Sequence, residues 1–137
     1  MTAPILIADD DPAIRTLLRL IVERAGLHVD LAADGQEALA LLERKNYALV
    51  LLDLQMPRAN GFDVVEHLRT KSPRPLILIL TALPRSQTLR LDPTVVQAVV
   101  RKPFDVPFLA DIIAGAVRSI GNSAHESSFF GTLPLES

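Results

Sequence analysis

The stretch ILIADDDP, residues 5–12, decides how the chain reads. Residues 5–8 form a short continuous apolar run, the pattern of a strand buried on both faces. The run passes without a break into Asp9, Asp10 and Asp11. Neighbouring carboxylates repel, so three in a row need a cation or hydrogen-bond donors to be stable together. Asp11 precedes Pro12, which suits a helix start with Asp as N-cap and Pro in the first turn. Asp9 and Asp10 are then left at the carboxyl end of a strand without that role.

The same pattern recurs along the chain. Residues 48–52 (ALVLL) end at Asp53, residues 75–80 (PLILIL) end at Thr81, and a weaker run near 95–100 ends at Arg101-Lys102-Pro103. A further strand is expected over 27–33. Helical spacing fills the intervals. Ile14, Leu17, Leu18, Ile21 and Val22 share one face, and Gly26 stops that helix. Asp34 caps a second helix carrying Ala38, Leu39 and Leu42 inward. A third is expected over 62–70, and a last one over 105–120 with Leu109, Ile112, Ile113, Ala116, Val117 and Ile120 inward. Pro84 and Asp92-Pro93 restrict any fourth helix to about 85–91, because proline in a helix interior costs about 3 kcal/mol or more.

Strand and helix alternating five times predict an α/β fold. The expected architecture is a doubly wound five-stranded parallel sheet with helices on both faces and a short or irregular fourth helix. A length of 137 residues suits one domain. The expected division is a domain over 1–121 and a Ser-rich tail or linker stub over 122–137; its bland reading is a disordered tail, and the alternative is that Phe129, Phe130, Leu133 and Leu135 dock on the domain or on a partner.

Composition narrows the function. The net charge is -2 and no basic stripe exists, which argues against a nucleic-acid partner. Cysteine is absent, which removes disulfides, thiolate metal sites and a cysteine nucleophile. No signal peptide or bilayer-length apolar run is visible, so the expectation is a cytoplasmic protein with no membrane partner.

Ligands of open α/β sheets bind beyond the carboxyl ends of the strands. The residues at those ends are Asp9, Asp10, Asp53, Thr81 and Lys102. Each has a bland reading: helix cap, loop acid, strand-end hydroxyl, solvated lysine. Their convergence on one sheet edge outweighs those readings. Oxygen ligands with no His or Cys suit a hard ion, and few protein ligands with open positions suit Mg²⁺ better than Ca²⁺. A phosphate could then be held by Lys102 and Thr81. Met56 reads as packing, and Tyr47, His28, His67 and His125, with no partner identifiable from the sequence, read as surface or structural residues.

Taken together, ILIADDDPAIR, LLDLQMPRANGFDVV, LILILTA and VVRKPFD resemble, in order and spacing, the receiver domain of two-component response regulators, a flavodoxin-like fold. The resemblance covers about residues 4–120. It implies that Asp53 accepts a phosphoryl group from the phosphohistidine of a sensor histidine kinase or phosphotransfer protein. It implies Mg²⁺ as cofactor, held by Asp10, by Asp9 directly or through water, by Asp53, and by the backbone carbonyl of Gln55. Lys102 would pair with Asp53 and then with the phosphoryl group. Thr81 would bond a phosphoryl oxygen and move inward, and the Lys102–Pro103 bond would be cis. Such a domain is a signalling switch rather than an enzyme, and it acts on a downstream protein partner.

Three departures from the family pattern stand out. The family usually carries Tyr or Phe three residues before the lysine; here that residue is Val99. The segment PRSQTLRLDPTVVQAVV, residues 84–100, lacks a regular fourth helix. Leu83, at a position that with Gln55 tunes loss of the phosphoryl group, cannot position water, which predicts a long-lived phosphoryl form. No effector domain is visible, so the expectation is a stand-alone or excised receiver, and the oligomeric state stays open. The competing reading is a phosphorylation-independent receiver-like interaction module. A phosphohydrolase with an aspartyl nucleophile would want an acid where Gln55 stands. Nucleotide binding lacks its glycine motifs.

Overall fold

Apolar runs too short for helices and too apolar for half-exposed strands become the centre of the molecule. The computed structural model describes residues 3–121. In chain order the elements are β1 Ile5–Ala8, α1 Pro12–Arg24, β2 Val29–Ala32, α2 Gly35–Arg44, β3 Leu49–Asp53, α3 Gly61–Arg69, β4 Leu76–Thr81, α4 Arg85–Thr88, β5 Ala98–Arg101 and α5 Val106–Gly121. The strands form one sheet in the order β2-β1-β3-β4-β5, and every pairing is parallel. The expected doubly wound α/β architecture is therefore the observed one.

Alternation along each strand divides the core in two. Leu6, Val50, Leu52, Ile77, Ile79 and Val99 face α2, α3 and the segment after α4. Ile5, Ile7, Leu51, Leu78, Leu80 and Val100 face α1 and α5. Side chains of β1, β3 and β4 are almost wholly buried, as continuous apolar runs in a parallel sheet must be. Each fully buried Leu or Ile contributes about 1.5–3 kcal/mol from area alone.

Local signals set the helix starts. The Asp11 carboxylate accepts the Ala13 N–H at 2.9 Å with Pro12 in the first turn. The Asp34 carboxylate accepts the Glu37 N–H at 2.8 Å. Asn60 and Asp63 form a reciprocal capping box at α3.

Two sequence expectations need correction. α4 is a single turn, Arg85–Thr88, not a helix over 85–91. The chain turns away at once: Leu91 N–H bonds the Thr88 carbonyl at 3.0 Å, and Asp92 Oδ1 takes the Thr94 N–H at 2.8 Å. β5 starts at Ala98 rather than near 95. Val95 and Val96 both donate to the Asp92 carbonyl at 2.9 Å, so they pack into the core from a turn. Tyr47, expected to be surface or structural, is structural: it is buried, and the partner the sequence did not reveal is Asp30, whose Oδ2 accepts its hydroxyl at 2.6 Å and pins the edge strand β2. Expectations for 122–137, including His125 and the apolar tail residues, lie outside the described residues.

Candidate functional site

The order β2-β1-β3-β4-β5 makes β1 and β3 neighbours although β2 lies between them in sequence. At this reversal the chains leaving the two strands diverge, opening a crevice at their carboxyl ends. Asp9 follows β1 on one side, and Asp53 ends β3 on the other. Carboxylate oxygens of Asp9, Asp10 and Asp53 all lie within 4.8 Å of one another. Asp9 and Asp53 are buried, whereas Asp10 is exposed at the mouth.

Asp9 is the most constrained of the three. Its Oδ1 accepts the Asp11 N–H at 2.9 Å, its Oδ2 accepts Lys102 Nζ at 3.0 Å, and its carbonyl accepts Arg15 Nη1 at 2.7 Å. Lys102 follows β5, and its N–H bonds the Thr81 carbonyl at 2.7 Å, which ties it to the end of β4. The ammonium reaches Asp53 Oδ2 at 3.5 Å, farther than Asp9. The lysine is thus anchored on Asp9 and lies beside Asp53. The Lys102–Pro103 bond is cis, as expected.

Asp53 is 4% exposed, and its Oδ1 accepts the Gln55 N–H at 3.1 Å. Burial pushes its pKa up to about 6; the Gln55 N–H opposes this, Asp9 reinforces it, Lys102 opposes it and Asp10 reinforces it. At neutral pH most of the carboxylate is still ionised. Burial pulls the Lys102 pKa down, but its bonds and attraction to Asp9 and Asp53 outweigh that and raise it. Thr81 is fully buried at the end of β4, and its Oγ1 accepts the Leu83 N–H at 3.1 Å. The hydroxyl keeps its own hydrogen to donate. Asp9, Asp10, Asp53 and Lys102 therefore converge, and Thr81 ends the neighbouring strand with its carbonyl bonded to the Lys102 N–H. Three clustered carboxylates with only oxygen donors fit a hard divalent ion such as Mg²⁺.

What the sequence reading missed is how the loop after Asp53 is held. Arg58 Nε and Nη2 reach Asp34 Oδ2 at 3.1 and 2.5 Å, so the cap of α2 also carries an ion pair. Nothing in the spacing of residues 34 and 58 announces that contact.

The comparisons with known proteins match this geometry. The family model of the response regulator receiver domain matches residues 5–114. The chain belongs to the response regulator receiver domain family. Over 75 residues it is 43% identical to the transcriptional regulatory protein ResD of Bacillus subtilis, covering 55% of this chain and 31% of ResD. Over 79 residues it is 40% identical to the transcriptional regulatory protein SrrA of Staphylococcus aureus, covering 58% of this chain and 33% of SrrA. The chain thus spans about a third of the length of these curated relatives. Among solved structures, the response regulator TrrA of Thermotoga maritima, in complex with Mg²⁺-BeF, has a TM-score of 0.72 at 33% identity, over 85% of this chain and 99% of that one. A CheY-like receiver domain protein of Methanospirillum hungatei has a TM-score of 0.77 at 25% identity, over 90% and 99%. Receiver domains are signalling domains that bind Mg²⁺ at an acidic pocket, and the Asp9, Asp10 and Asp53 cluster is such a pocket. Among the described residues no helix is long and apolar enough to cross a membrane.

Proposed function

We propose that this chain is a phosphoacceptor switch: Asp53 takes a phosphoryl group from the phosphohistidine of a sensor kinase or phosphotransfer protein, with Mg²⁺ as cofactor. The observation that carries the reading is that one ammonium, Lys102 Nζ, contacts both Asp9 and Asp53 at the mouth of a three-carboxylate crevice.

The chemistry follows from the residues. A carboxylate oxygen of Asp53 forms a bond to phosphorus as the bond from phosphorus to the histidine nitrogen breaks, and the freed imidazole takes a proton. Acetyl phosphate would serve as donor with acetate as the leaving group. A carboxylate attacks a phosphoryl group poorly unless negative charge is neutralised on both sides. Lys102 supplies one positive charge, and its anchor on Asp9 keeps it in place through the transfer. Asp9, Asp10, Asp53 and the Gln55 carbonyl would hold Mg²⁺, which would supply the second positive charge beside the phosphoryl oxygens. The Thr81 hydroxyl donates its own hydrogen to a phosphoryl oxygen, which it can do while its oxygen still accepts the Leu83 N–H.

The mixed anhydride places roughly two negative charges at the end of β3. Its contacts with Thr81 and Lys102 favour a second arrangement of the β4–α4 and β5–α5 loops, which is what a downstream protein partner would read. ResD and SrrA are named as transcriptional regulators, so the charge argument against nucleic acid concerns this domain's own surface and not an assembly that it joins. We place it in the cytoplasm, where such kinases present their phosphohistidines. A phosphorylation-independent interaction module is the second reading, supported by Val99, which is buried where the family usually carries an aromatic.

Intact mass after incubation with acetyl phosphate and Mg²⁺ separates the two. The phosphoacceptor reading requires a gain of one phosphoryl group by wild type and none by Asp53→Asn. No gain by either, with a cognate kinase failing too, overturns the phosphoacceptor reading and favours the second one.

A further inference from the structure

The segment joining β3 to α3, residues 54–60, holds two consecutive non-glycine residues in the left-handed region, Arg58 at φ 48° and Ala59 at φ 74°. Such a conformation persists only where the surroundings over-determine it. Three contacts do so here. Arg58 places two nitrogens on the single oxygen Oδ2 of Asp34, at 3.1 and 2.5 Å. The pair is asymmetric: the Asp34 side chain is 3% exposed and that of Arg58 is 64% exposed, so a fixed carboxylate holds a cation that reaches in from solvent. Behind it, Gly35 N–H points to the Pro57 carbonyl at 3.4 Å, and a Cβ on Gly35 would lie 1.7 Å from the Ala59 carbonyl oxygen. The loop is therefore pressed against the turn before α2 with no space for a side chain between them. Its first residues are tied to the site itself, through the Gln55 N–H on Asp53.

We propose that the Asp34–Arg58 pair is a positioning latch that holds residues 54–60, and with them Gln55, in the conformation that completes the metal site. The role in metal binding rests on the phosphoacceptor reading; the role in holding the loop does not. Asp34 also caps α2, and a cap alone would explain its burial. The two roles separate chemically, because asparagine caps a helix as well as aspartate but carries no charge.

The test compares wild type, Asp34→Asn, Arg58→Gln, Arg58→Lys and the Asp34→Asn/Arg58→Gln double variant. Three quantities are measured: amide hydrogen exchange of residues 54–60 without metal, MgCl₂ affinity by calorimetry, and the thermal midpoint. The latch predicts roughly tenfold faster exchange confined to 54–60 in Asp34→Asn and Arg58→Gln. It predicts Mg²⁺ affinity weakened roughly tenfold in both, the size expected for a group that orients a ligand. The thermal midpoint of Asp34→Asn stays near wild type because the cap is kept, whereas Arg58→Gln, which leaves the buried Asp34 carboxylate without its cation, lowers it. Arg58→Lys recovers part of the exchange and affinity effects, and in both of these the double variant is no worse than either single one. Wild-type exchange and affinity in the single variants, or additive losses in the double, overturn the latch. Failure of wild type to bind Mg²⁺ would instead strike the phosphoacceptor reading, and the exchange data would still decide whether the loop is latched.

Discussion

Asp9 and Lys102 are hydrogen-bonded at 3.0 Å although 93 residues separate them in sequence. The bond closes the crevice from the β5 side and leaves Lys102 at 3.5 Å from Asp53, near enough to neutralise it. Removing the ammonium leaves two buried carboxylates facing each other. Lys102→Met is expected to lower stability at pH 7 by about 3–5 kcal/mol, the usual cost of orphaning a buried charge. It is expected to slow labelling by acetyl phosphate by about 10²-fold or more. Lys102→Arg keeps the charge but not the compact reach of an ammonium, so it recovers stability better than rate. Melting curves and mass-resolved labelling time courses read the two effects separately.

Asp53 has a pKa of about 6 in the folded, metal-free domain, raised chiefly by burial. In an unfolded chain the value is about 3.9. Between these values the folded protein binds more protons, so stability falls as pH rises from about 4 to about 6 and stays lower above that. At pH 7 the ionised carboxylate costs on the order of 3 kcal/mol, at about 1.36 kcal/mol per pKa unit. Asp53→Asn removes that cost. In chelator the variant is expected to melt several degrees above wild type at pH 7 and at about the same temperature at pH 4. Equal melting at both pH values would mean that Asp53 is not held ionised against its environment.

The strand ends carried most of this site in the sequence. Asp9, Asp53, Thr81 and Lys102 each follow an apolar run, and a parallel sheet brings the ends of such runs to one edge whatever lies between. The α4 region was readable in kind but not in extent. Pro84 and Pro93 excluded a long helix, yet the Asp92 side chain, which builds its own turn, shortened α4 to Arg85–Thr88. The start of β5 was misjudged because Val95 and Val96 are as apolar as strand residues and are equally buried, but from a turn. The Asp34–Arg58 pair was beyond reach, since it depends on a left-handed loop conformation that neither Arg58 nor Ala59 favours.

Leu83 lies two residues after Thr81, and its N–H is bound to the Thr81 hydroxyl oxygen at 3.1 Å. Its half-buried side chain packs against the core and offers no polar atom to orient water beside Asp53. The phosphorylated wild type is therefore expected to persist for minutes or longer, and Leu83→Asn to shorten that lifetime several-fold by supplying an amide. Decay of the labelled mass after removal of acetyl phosphate measures both. A wild-type half-life of seconds would contradict the assignment of Leu83.

Gly61 opens α3 directly behind β3, the strand that ends in Asp53. A Cβ there would lie 2.4 Å from the Asp53 carbonyl oxygen and 2.6 Å from Leu54 Cα, both backbone atoms that cannot yield cheaply. The Gly61 N–H also bonds the Leu54 carbonyl at 2.9 Å, so the helix start and the strand end move together. Gly61→Ala is expected to cost about 1–3 kcal/mol as an overpacking change. Because the displaced atom belongs to Asp53, labelling should fall as well. Gly26 supplies the contrast. Its φ of +84° is unfavourable for alanine, but no atom lies within 4 Å of the added Cβ. Gly26→Ala should cost about 1–2 kcal/mol from backbone strain alone and leave the labelling rate of the folded protein unchanged. Comparable loss of labelling in both variants would show that Gly61 acts through global stability; loss in Gly61→Ala alone ties the close approach at β3 to the placement of Asp53.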